Sequence, residues 1–104
     1  MPYIITHCWY PPSKTDEVGK KYLEVMKKYP PDESLAKEVV PVAVSAAKDG
    51  FETLSIAEVE RGKLGDALDR AGSFMVEFRN IEGFNYEIKT WSTAEEALER
   101  IGLG

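Results

Sequence analysis

The dipeptide Asp49-Gly50 restricts this chain more than any other feature. It lies between two runs rich in β-branched and apolar residues, Val39 to Val44 and Phe51 to Glu60, and an Asp-Gly pair in that setting is a strong local signal for a β-hairpin. Lys48-Asp49-Gly50 is the expected turn. Pro41 marks the first arm as an edge or bulged strand, because proline has no N–H to give to a ladder.

Outside each arm comes a helical pattern and then another strand-like run. Tyr3 to Tyr10 holds β-branched and aromatic residues and stops at Pro11-Pro12, a strand followed by a breaker. Ser13 with Asp16 at the third position suits a helix start, and Val18, Tyr22, Val25, Met26 and Tyr29 then recur at helical spacing until Pro30-Pro31. Downstream, Leu64, Ala67, Leu68, Ala71, Met75 and Phe78 follow a 3,4 spacing, the clearest amphipathic helix in the chain. Gly72-Ser73 in its middle suggests a close approach to the sheet. Phe84, Tyr86 and Ile88 alternate with Asn85, Glu87 and Lys89 as a two-faced strand ending at Trp91. Ser92 and Glu95 form a capping-box pattern for a last short helix that ends at Gly102.

The order strand, helix, strand, strand, helix, strand, with right-handed crossovers, gives an α+β domain of ferredoxin-like β-α-β-β-α-β topology. It has a four-stranded antiparallel sheet, both long helices on one face and an extra short C-terminal helix. At 104 residues, 43% hydrophobic and 30% charged, the chain is expected to form one domain over residues 1–104 with a packed core. A net charge of −5 argues against nucleic acid, whose phosphates select basic surfaces. The only cysteine, Cys8, excludes an intrachain disulfide and any thiolate cage for zinc or iron–sulfur. A reducing cytoplasm fits that usage. Met1-Pro2-Tyr3 has no basic leader region, and the longest apolar stretch, Val39 to Ala47, is too short to span a bilayer and contains Pro41. Neither a secretory signal nor a membrane segment is expected.

One layer of helices covers one side of a sheet. The first and third strands are nevertheless apolar in both phases: Ile4 and Cys8 against Ile5 and Trp9, and Leu54 and Ile56 against Phe51, Ala57 and Val59. Such strands need a cover on each face. A second copy related by a two-fold axis is the simplest one, so a homodimer is expected. In element order and lengths, in Tyr3 to Tyr10 running into Pro11-Pro12-Ser13, and in Glu58 to Leu64 joining strand to helix, the chain resembles the dimeric α+β barrel superfamily. The resemblance implies two protomers with their sheets pressed together and a cavity between sheet and helices. It also implies a range of activities, from cofactor-independent monooxygenases and small isomerases to haem-using enzymes and proteins without activity, so fold alone does not choose.

His7, the only histidine, is the candidate proton carrier, in the middle of the first strand. Trp9 shares its face and Trp91 is expected beside it, a setting for a flat aromatic ligand; Tyr10, Asn85, Glu87 and Lys89 complete the candidate binding set. Each also has a plain structural reading, as core, dimer contact or solvated edge. Cys8 points to the side opposite His7, which argues against a Cys-His nucleophilic pair. No metal site and no cofactor is expected, with haem on His7 a minor alternative. An RNA-recognition motif, an acylphosphatase phosphate cradle and a metal-chaperone cysteine pair are all missing. Two functions stay open: a cofactor-independent enzyme acting on a small apolar or aromatic substrate, and a non-catalytic homodimeric ligand-binding or assembly module.

Overall fold

The alternation of the first strand decides which side of the sheet is covered. A computed structural model describes residues 1–104. In it β1 (Tyr3–Tyr10) buries Ile4, Cys8 and Tyr10, while Tyr3, Ile5, His7 and Trp9 take the alternate phase. A 3-10 turn (Pro12–Lys14) leads into α1 (Thr15–Lys28); β2 (Ala36–Ala47) and β3 (Gly50–Val59) form the hairpin; α2 (Leu64–Val76), β4 (Asn85–Trp91) and α3 (Ala94–Arg100) follow. The strands lie in the order β2-β3-β1-β4, every neighbouring pair antiparallel. This is the expected β-α-β-β-α-β arrangement with its short terminal helix.

Both long helices cover the Ile4, Cys8 and Tyr10 side. Val18 and Val25 of α1, Met75 of α2, and Phe78 and Ile81 from the turn after it join Cys8 and Tyr10 in the larger core cluster. Ile4, Val59 and Ala67 form a smaller one. Aromatic rings extend the larger cluster: Phe84 stacks on Phe78 at 4.9 Å, and Phe74 meets Tyr22 edge-on at 6.2 Å.

Four local expectations are corrected. Ser13 does not cap α1. Pro12, whose fixed φ suits a first helical position, starts a 3-10 turn that absorbs Ser13, and α1 begins at Thr15, whose hydroxyl donates to Pro12 O at 2.7 Å. The C-terminal capping box is one residue later, with Thr93 Oγ1 accepting from Glu96 N and the Glu96 carboxylate accepting from Thr93 N. β2 runs over twelve residues, because pairing with β3 extends it beyond its apolar centre; its register slips on either side of Val40, next to Pro41. At Gly72 an added Cβ would meet nothing within 4 Å, so that glycine serves no close approach. The hairpin loop is Lys48-Asp49, with Ala47 opposite Gly50, and within this turn only Gly50 takes a positive φ, +146°. It must be glycine for a second reason: a Cβ there would overlap the Tyr10 carbonyl oxygen.

Candidate functional site

Register places the predicted site residues on the two sides of the sheet. His7 lies opposite Glu87 of β4 and Leu54 of β3, Trp9 opposite Asn85 and Glu52, Ile5 opposite Lys89, and Tyr3 opposite Trp91. His7, Trp9, Asn85, Glu87, Lys89 and Trp91 therefore share the face away from the helices. Tyr10 does not join them. It is buried on the helix side against Phe51 and Phe84, although it shares with Trp9 and Asn85 the rim of a shallow depression at the Gly50 end.

The open face is an aromatic and ionic cluster. The His7 imidazole stacks on Trp9 at 4.1 Å, and its Nε2 lies 2.9 Å from a Glu52 carboxylate oxygen. A carboxylate oxygen of Glu52 accepts from Nε2–H, and in the neutral ring Nδ1 then keeps the lone pair. Glu87 is paired with Lys89 at 2.6 Å. Trp91 is half exposed, and Ile5, Leu54 and Ile56 are partly covered. The Cys8 thiol, on the other side, is pushed up by burial against the smaller opposing effect of a Thr53 hydrogen bond. It stays protonated and inert.

A second site lies beneath α1, and its origin is in β3. Paired with β1, this strand turns Thr53, Ser55 and Ala57 toward the helices and Leu54 and Ile56 away from them. Small side chains thus occupy the layer that would ordinarily hold the large ones, and a cavity of about 320 Å³ remains between α1 and the sheet, open to solvent along β2, where Val42 and Val44 are exposed. Its wall includes Val18, Val42, Val44, Met75, Phe78 and Phe84, together with the hydroxyl side chains of Thr6, Thr53 and Ser55, and no charged side chain. Gly19 of α1 also lines it, with open space where a side chain would start. A smaller chamber of about 120 Å³ adjoins it, sharing Thr6, Tyr22, Val42 and Ser55 and reaching Asp32, Glu38 and Arg70.

The resemblance implied a cavity between sheet and helices, but sequence reasoning did not find the residues that line this one. The signal was present as the pattern Thr53-Leu54-Ser55-Ile56-Ala57, in which one phase is small and the other large, but only the register shows which phase meets the helices. Of the predicted site residues Tyr10 alone lines the cavity, and His7 lies on the far side of the sheet. No three His, Cys, Asp or Glu side chains converge as metal ligands do, and no helix is long and apolar enough to cross a membrane. No protein-family model, curated protein or solved structure matches the chain.

Proposed function

We propose that the protein is a homodimeric, small-molecule-binding domain of the dimeric α+β barrel kind, which takes a small apolar or aromatic molecule into the cavity beneath α1. The observation that carries this reading is the cavity itself. At about 320 Å³ it is at the lower end of the range for ligand pockets, room for a molecule of one or two rings. Its wall has no charged side chain, and six of its fourteen residues, Thr6, Tyr10, Thr15, Tyr22, Thr53 and Ser55, add neutral hydroxyls to the apolar ones. Burial of the ligand's apolar surface is the driving force, at about 25 cal/mol per Å².

The homodimer is supported by surface. The chain exposes 6982 Å², whereas a monomer of 11.7 kDa ordinarily exposes about 5,900 Å². The excess is comparable to the roughly 800 Å² that each partner buries in a standard interface. Its radius of gyration, 15.1 Å, likewise exceeds the roughly 13 Å of a compact chain this long. The open sheet face, with Ile5, Trp9, Leu54, Ile56 and Trp91, is the face a second copy covers.

The binding reading is tested at Gly19, which lines the cavity and where an added Cβ meets nothing within 4 Å, so a large side chain there is expected to compete with a ligand for the space. Equilibrium dialysis should show naphthalene bound by the native protein and lost in Gly19→Phe. Equal binding by both would place the ligand elsewhere.

An enzymatic reading rests on a different observation, the His7–Glu52 hydrogen bond with Trp9 stacked on the ring. Glu52 holds one nitrogen, and in the neutral ring Nδ1 is the proton acceptor, an arrangement suited to general base chemistry on a substrate held between two sheets. Its test is turnover of an identified substrate by His7→Gln, which should fall by about a hundredfold or more if His7 is the base. Undiminished turnover in a folded dimer removes the assignment.

A further inference from the structure

The helix-facing centre of the sheet carries two hydroxyls side by side. Thr6 of β1 and Ser55 of β3 are directly paired, and both line the large and the small chamber. Across from them Tyr22 of α1 also lines both, so the three mark the waist where the chambers join. No hydrogen bond within the chain engages any of the three side chains. No side-chain polar atom of the chain is buried without a partner, so these hydroxyls are open to water; an apolar molecule that covers them removes that water and leaves their hydrogen bonds unmade, a cost that a molecule bearing an oxygen avoids.

From this juxtaposition we infer that the Thr6, Ser55 and Tyr22 hydroxyls select, among molecules small enough for the cavity, neutral ring compounds that carry a hydroxyl or carbonyl group. The inference rests on the cavity being the ligand site. The apolar walls formed by Val18, Val44, Met75 and Phe78 take the ring, and the waist takes the oxygen. Tyr22 acts as a neutral phenol: burial, and less strongly the Glu38 carboxylate, push its pKa upward. An anionic ligand is disfavoured. Arg70, the only cation lining either chamber, already donates to Tyr29 O and Pro30 O at 2.8 Å each, while Glu38 and Asp32 line the same chamber with negative charge.

The experiment is equilibrium dialysis of the full chain against naphthalene, 1-naphthol and 1-naphthoate, repeated with Thr6→Val, Ser55→Ala and Tyr22→Phe, alone and combined. The native protein should bind 1-naphthol roughly tenfold more tightly than naphthalene, the effect of about one well-made hydrogen bond, and 1-naphthoate more weakly than either. The combined variant should bind the two neutral compounds within about twofold of each other, with naphthalene binding kept as proof that its cavity is intact. If naphthalene and 1-naphthol bind the native protein equally, the anchor is wrong while the cavity reading stands. A preference for 1-naphthol that survives the combined substitution also overturns the anchor. Failure of all three probes to bind overturns both.

Discussion

Two glycines in regular elements have opposite roles. Gly50 has φ +146°, and a Cβ would overlap the Tyr10 carbonyl oxygen, so backbone strain and collision add. Gly50→Ala should destabilise the fold by about 2 kcal/mol or more, read as a lower urea midpoint with unchanged slope. Gly72 lies inside α2, where an added methyl meets nothing within 4 Å. Gly72→Ala should therefore raise stability by about 1 kcal/mol, shifting Tm up by roughly 4–8 °C. A fall in Tm would mean that the helix packs more closely there than the geometry shows. Cys8 gives a third check. With its thiol buried and its pKa raised, iodoacetamide at pH 8 should modify it far more slowly in the native than in the urea-unfolded protein.

Among the elements, α3 depends most on its cap. No residue of this seven-residue helix is buried, and the capping box of Thr93 and Glu96 closes its first turn. Thr93→Ala should cost about 1 kcal/mol, seen as roughly fivefold faster amide exchange confined to α3. The Thr93 N–H first, and then the N-terminal ammonium, hold the Glu96 carboxyl below its usual range. Because folding lowers that pKa, the contribution is complete above the ordinary carboxylate range and is lost as pH falls through it. Protection of the α3 amides, relative to the unstructured exchange rate at each pH, should fall in acid before that of the β1 amides; α3 protection that does not change with pH would contradict this. The cap also marks how far the sequence can be read. Ser92 with Glu95 and Thr93 with Glu96 fit the same template, and only the end of β4 at Trp91 and the Arg100 contact to Ser92 Oγ at 2.7 Å separate them. Likewise, nothing local distinguishes a Ser13 cap from a Pro12 turn, and Ala36-Lys37-Glu38 becomes strand through pairing with β3 rather than propensity. The β4 alternation and the hairpin were legible because one local period determines each.

At the scale of the molecule, one strand orientation has two consequences. β3 presents Thr53, Ser55 and Ala57 to the helices and Leu54 and Ile56 to the open face, which leaves a cavity on one side and uncovered apolar surface on the other. That both faces of β1 and β3 carry apolar residues was readable from their two phases. The lining of the cavity was not, because it depends on which phase lies beneath α1, and that is fixed by long-range pairing. For the open face, sedimentation should give twice the protomer mass, and Leu54→Glu, which places a charge in the middle of that face, should weaken association by roughly a hundredfold. A native protomer that sediments as a single chain at millimolar concentration would remove the dimer. The division of labour between the two faces is tested most directly by an NMR titration with 1-naphthol. The account predicts shifts in the methyl signals of Val18, Val44 and Met75, with the indole signals of Trp9 and Trp91 unmoved; shifts at the two indoles and none at those methyls would contradict it.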